Sequence, residues 1–236
     1  MAKRITRPFA LALALLGGAC ERTPKRELDL DLIHVPGPAR MRTDTVGEGK
    51  FAGSATFVLV DAENAASEGA YVTLGGELID ATGADVGTLN AQSLWIPSHE
   101  SRTFALVDAE RKQRPETTSA RVKVRGALVS SAPPTARIEE LHSFDDHGQV
   151  VVQAYLVNDA NREGQVMVVG AFYDASNRPV ARPFVVVKIG ASGPGEPGRC
   201  PDTMEDKVPL VSRCSVRFVG PAGAKRGTIF VGDAVY

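Results

Sequence analysis

Alternation of apolar and polar side chains dominates this 236-residue chain. A period of two suits strands and rules out amphipathic helices as the main element. Ala55, Phe57 and Leu59 would take the inward side of one run, with Ser54 and Thr56 facing water. Further on, Val152, Ala154 and Leu156 point inward while Gln153 faces water. The same reading sends Val72, Leu74 and Leu78 inward, then Val166, Val168 and Phe172. The closing runs supply Val122 and Val124, and later Ile229 and Val231. Gly, Asn, Asp and Pro separate these short runs, as they do between strands. No segment carries a sustained helical period. The expected class is all-β.

Ser130-Ser131-Ala132-Pro133-Pro134-Thr135 interrupts the pattern. Two prolines among small residues signal a linker, placed at 131–135. It divides the chain into a β-sandwich over 34–130 and another over 136–236. A hydrophobic content of 43% is enough for packed cores. The halves look like copies. Leu59-Val60-Asp61-Ala62-Glu63-Asn64 matches Leu156-Val157-Asn158-Asp159-Ala160-Asn161, and Gly76 to Ala81 matches Gly170 to Ala175. Phe104 matches Phe218, and Val122-Lys123-Val124 matches Ile229-Phe230-Val231. Each Asp-Ala pair opens a turn, at Thr82-Gly83 and Ser176-Asn177, where Gly and Asn tolerate a left-handed backbone.

This repeated unit resembles the FxLYD-type domain of bacterial surface lipoproteins. Leu78-Ile79-Asp80 and Phe172-Tyr173-Asp174 stand at the motif, with Gly76 and Gly170 in place of its leading aromatic. The resemblance implies two tandem immunoglobulin-like β-sandwiches. It implies no activity, since fold does not fix function.

Met1 to Cys20 reads as a secretory signal peptide over 1–19: Lys3, Arg4 and Arg7, then apolar Phe9 to Leu16, then Gly17-Gly18-Ala19. The apolar run falls well short of the ~20 residues that span a bilayer. Cys20 directly after the small residues resembles the lipobox of bacterial lipoproteins, although Gly17 stands where that motif usually has Leu. The resemblance implies lipid on Cys20, a tether over 20–33 and a place in the cell envelope outside the cytoplasm. The membrane is then one partner, and another envelope protein the expected second. Net charge is −1, and losing three cations with the leader leaves the chain mildly acidic. That is too little to imply a nucleic-acid partner.

Cys200 and Cys214 remain, the right number for one disulfide in an oxidising compartment. Cys200 lies inside a Gly- and Pro-rich segment, 190–213, and Cys214 directly after it; the segment is much longer than its counterpart near Leu89 to Ser101, and a bridge would pin part of it. Long loops on a rigid scaffold carry function or are tolerated insertions. Pro194, Glu196, Asp202, Glu205 and Asp206 are its candidate recognition residues, with no calcium-loop spacing. Arg121, Lys123 and Arg125 share one strand face, either for an anionic polymer or to guard an edge. Trp95, the only tryptophan, is a ligand platform or the cap of a core. His142 and His147 with Asp145 and Asp146 read as a polar turn rather than a metal cluster. No nucleophile elbow, zinc-helix or phosphate-loop motif is present, so no catalytic residue, metal or cofactor is expected. The expected role is a non-enzymatic binding or scaffolding module. The alternative is a secreted protein with a carbohydrate or calcium-dependent ligand; a hydrolase of envelope polymer comes third.

Overall fold

The computed structural model describes residues 26–46, 52–130, 132–193, 198–200 and 209–236. Among them the chain is all-β, with one 3-10 turn at Leu30–Leu32. The first half contributes β1 (Arg26–Glu27), β2 (Ile33–His34), β3 (Arg40–Val46), β4 (Gly53–Asn64), β5 (Ala70–Asp80), β6 (Asp85–Ile96), β7 (Ser101–Val107) and β8 (Thr117–Val129). The second contributes β9 (Ala136–Asp146), β10 (Gln149–Asn158), β11 (Gly164–Tyr173), β12 (Pro179–Ala181), β13 (Phe184–Ile189), β14 (Gly198–Arg199), β15 (Arg213–Val219) and β16 (Arg226–Val235).

Each half builds two sheets. In the first, β4 lies between β3 and β7, and β5 lies between β6 and β8. In the second, β10 lies between β9 and β15, and β11 lies between β13 and β16. These pairings are antiparallel; β14 alone, among the described strands, runs parallel to its neighbour β15. Successive strands therefore occupy corresponding places in the two halves. One core gathers Val58, Val60 and Ala62 of β4, Val72, Leu74 and Leu78 of β5, and Phe104 and Leu106 of β7. The other gathers Val152, Ala154 and Leu156 of β10, Val166, Val168 and Phe172 of β11, and Ile229 and Val231 of β16.

The inward face of β4 is the reverse of the one expected. Val58 and Val60 face the opposed sheet, whereas Ala55 and Leu59 are buried on the other side and Thr56 is buried rather than wet. The alternation misleads because β4 is covered on both faces. β11 is too, and it reads as the near-continuous apolar run that double burial produces.

The matching of the halves also needs adjustment. Asn64 ends β4 as Asn158 ends β10. Both carboxamides are buried and make the same bonds, so Asn64 corresponds to Asn158 and not to Asn161. Phe104 pairs with Val60 and Val216 with Ala154, which makes Val216 the counterpart of Phe104. The other matches keep register. Asp80 and Asp174 each accept two backbone N–H bonds from the residues two and four ahead. Gly83 (φ 86°) and Asn177 (φ 60°) take the left-handed position of the two turns.

The expected tether is shorter at its far end. Arg26 and Glu27 pair with Val129 and Leu128, Leu28 packs on the first core, and Ile33 is buried opposite Asn64. Apolar Leu28 and Ile33 carry this attachment; a charged run around them hides it in the sequence. The 1–25 segment, with Cys20, lies outside the described residues.

Candidate functional site in the cleft between the halves

The second face of β11 is what joins the halves. Val169, Ala171 and Tyr173 point away from their own core, as does Phe230 beside them on β16, and all four belong to the apolar cluster of the first half. Polar groups ring this contact. Tyr71 donates to Asp233 at 2.8 Å, Arg40 meets Asp174 at 2.8 Å, and Arg42 donates to the Val180 carbonyl at 3.1 Å. Arg182 Nε donates to the Thr103 carbonyl at 2.8 Å. Burial pulls the Arg182 guanidinium down to about 10, so it stays charged at neutral pH. The Asp174 carboxyl is held down at about 2, first by the Arg178 backbone N–H.

At the centre, Thr103 Oγ1 donates to Asp61 Oδ1 at 2.6 Å and lies 2.7 Å from the Tyr173 hydroxyl. Thr103 has one hydroxyl proton, spent on Asp61, so Tyr173 donates to Thr103. The Arg226 guanidinium covers the Tyr173 ring at 3.7 Å. Burial raises the Asp61 pKa, against the pull of Thr103 and Arg226. Burial and the Asp61 charge raise that of Tyr173. A raised carboxyl means the folded state holds its proton longer than the unfolded state. Its contribution is full below the unfolded value of 3.8 and is lost as pH rises through the folded value. Asp61→Asn, which keeps the acceptor and discards the charge, is therefore expected to match or exceed the parent in melting temperature at pH 7. The advantage should shrink as pH falls toward 3.8. A pH series of melting curves checks it.

Where this contact opens to solvent there is a cleft of about 410 Å³. Trp95 and Arg102 come from the first half, Pro134 from the connector, and Arg137, Tyr173 and Phe230 from the second. Trp95 meets Tyr71 edge-on, with ring centroids 5.3 Å apart. A side chain on Gly69 would strike the indole, so glycine is needed for it to lie there. Arg102 is 11% exposed, binds Glu100 at 2.7 Å, and stands 4.9 Å over the Phe230 ring. Burial lowers its pKa and Glu100 opposes that. Arg137 is half exposed at the rim, between Asp159 and Glu139. The connector is pinned beside it by a 2.7 Å bond from the Ala136 N–H to the Tyr236 hydroxyl. The cleft walls are strands and prolines, which hold a binding shape without a large ordering cost.

Trp95 is legible as a site residue in the sequence; Arg102, Tyr173 and the Asp61–Thr103 pair are not. The available signal is the unbroken apolar run of β11, which betrays a strand covered on both sides.

Cys200 and Cys214 are bonded, both buried, with Cα atoms 4.9 Å apart. The bridge ties the end of β14 to β15. Gly190 is held on the near side: its N–H donates to the Val211 carbonyl, and its own carbonyl accepts from the Asn158 amide. Replacing both cysteines with Ala is expected to cost about 3 kcal/mol in the chain-entropy view, readable as a lower denaturant midpoint. Pro194, Glu196, Asp202, Glu205 and Asp206 lie outside the described residues. Arg121, Lys123 and Arg125 stand exposed on β8, 3.4–3.6 Å from Asp85 and Glu77, in pairs worth little in solvent. His147 (φ 52°) and Gly148 (φ 84°) form the β9–β10 turn. Among the described residues, no group of three His, Cys, Asp or Glu side chains is placed to hold a metal ion.

No protein-family model matches the chain, and no curated protein matches it.

Proposed function

We propose that this chain is a membrane-anchored envelope lipoprotein, a non-enzymatic binding or scaffolding module made of two tandem immunoglobulin-like β-sandwiches behind a cleaved leader. The observation that supports it most is the contact between the halves. Two like pairs of sheets packed through one apolar seam make a stiff body with a preformed cleft, which suits holding a partner or ligand. The buried Cys200–Cys214 bond fits an oxidising compartment, and the order of residues from Met1 to Cys20 supplies the anchor.

The test is intact mass spectrometry of the protein extracted gently from membranes of its own host. The expected result is a diacylglycerol-sized addition on Cys20 together with a copurifying envelope protein. An unmodified, solitary chain would overturn the anchored-scaffold reading. A ligand-binding role is favoured by one specific observation, the aromatic and charged lining of the cleft.

A further inference from the structure

We propose that β13 pairs with the β13 of a second copy of this chain, antiparallel and edge to edge, about a two-fold axis at Val186. The sheet containing β11 then runs on from one copy into the next. Three observations carry this, and none of them involves the anchor or the cleft.

The first is exposure. β13 pairs with β11 on one side and, among the described strands, with none on the other. Phe184 is 50% exposed, Val185 37% and Val186 38%. No other described strand exposes three consecutive large apolar side chains. Charge studs other edges: Arg40, Arg42 and Asp44 on β3, and Glu139, Glu140 and Asp145 on β9. β13 carries Lys188 alone. An apolar edge this bare is a template for a further strand.

The second is which backbone groups are open. The Gly170 N–H donates to the Pro183 carbonyl at 2.9 Å. With that register, the bonds between β11 and β13 use Val185, Val187 and Ile189. The N–H and C=O groups of Phe184, Val186 and Lys188 therefore point away from β11. Beyond them, the Gly190 N–H is spent on the Val211 carbonyl. The open stretch runs from Phe184 to Lys188, with Val186 at its centre.

The third is self-complementarity, which selects a second copy over a foreign strand. A two-fold axis at Val186 sets Phe184 opposite Lys188, Val185 opposite Val187, and Val186 opposite itself. Every open residue then exchanges both its backbone bonds. Moving the axis one residue either way carries an outer pair off the open stretch. The faces agree as well, since Phe184, Val186 and Lys188 share one side, and Val187 and Ile189 face the second core. The Lys188 stem lies along the Phe184 ring with its ammonium in water. No like charges meet, because Lys188 is the only charge in the strand. Closed two-fold pairing is also the commonest form of assembly.

The experiment is size-exclusion chromatography with light scattering on the purified full chain, from about 1 to about 100 µM. The expected result is a dimer that grows with concentration. Val186→Lys, at a site 38% exposed, sets two ammonium groups against each other on the axis. It should keep the monomer's melting temperature and weaken the dimer at least about tenfold. Directly opposed residues that exchange both bonds have Cα atoms ~5.5 Å apart, within reach of a disulfide. Under mild oxidant, Val186→Cys should therefore cross-link to its own copy well above the parent. Val185→Cys, which opposes Val187, should do so at least about tenfold more slowly. A parent that stays monomeric, a dimer that survives Val186→Lys, or equal cross-linking of the two cysteine variants would overturn the inference. So would a monomer that copurifies with another protein and loses it in Val186→Lys, which gives the edge to a foreign strand. These readouts do not depend on lipid at Cys20, so the self-pairing and the anchored-scaffold reading fail separately.

Discussion

Asn64→Ala is expected to lower the unfolding free energy by about 2–4 kcal/mol, and Asn158→Ala to do the same. Few side chains here are so completely committed. The Asn64 carboxamide is fully buried at the end of β4. Its amide donates to the Glu68 carbonyl at 2.8 Å and the Ile96 carbonyl at 3.1 Å, and its oxygen accepts the Ala66 N–H at 3.0 Å. It thus closes the β4–β5 connection and fastens it to the end of β6. Asn158 repeats this with the Arg162 and Gly190 carbonyls at 3.0 and 2.7 Å and the Ala160 N–H at 3.0 Å. Alanine removes both donors and the acceptor while the backbone groups stay where water cannot reach them. Asn64→Asp and Asn158→Asp should cost at least as much, since they restore the acceptor but turn a charge toward carbonyl oxygens. Urea unfolding of the four variants measures this. A loss below about 1 kcal/mol for alanine would mean that water or backbone movement satisfies these groups.

Val169→Asp should have the larger effect of the two on the whole molecule, because it acts on the seam. Val169 is fully buried and packs with the first half's cluster, while its neighbours Val166, Val168 and Phe172 serve the second half's own core. An aspartate there buries an unpaired carboxylate, at a cost of about 4 kcal/mol or more. Parting the halves relieves that cost without dismantling either core. The expected outcome is uncoupling: unfolding splits into two steps, and Trp95 emission shifts to the red as its cleft opens. Val168→Asp is the control. It strikes the second core itself and should unfold that half rather than detach it. If both variants behave alike, the assignment of the two faces of β11 is wrong.

Strand content, the Asp80 and Asp174 turns and the cysteine pair are readable in the sequence because each depends on local chemistry. Alternation reports one covered face, and so it places Val152, Ala154 and Leu156 correctly. It fails at β4, where Leu59 and Val60 are both buried and the polar Thr56, taken as the outside, is buried too. The seam is illegible for the same reason: a proline-bearing linker at 131–135 suggests two loosely joined units, and nothing local says that Tyr173 must meet Thr103. Arg102 and Arg182 look like ordinary surface charges because the Phe230 ring and the Thr103 carbonyl that they meet lie across that seam. Leu28 and Ile33 read as tether because the short alternation from Leu28 to Leu32 is laced with charge and groups Leu28 with Leu30 and Leu32, which are exposed. Of the cleft, only Trp95 stands out, and its role depends on a contact between distant segments.

Differential scanning calorimetry of the unmodified protein, with the disulfide intact, tests the joined architecture most directly. Two halves sharing the buried faces of β4 and β11 should melt in one cooperative transition, with calorimetric and van't Hoff enthalpies equal. Two resolved transitions, each with the enthalpy of one half, would contradict the seam and the cleft built on it.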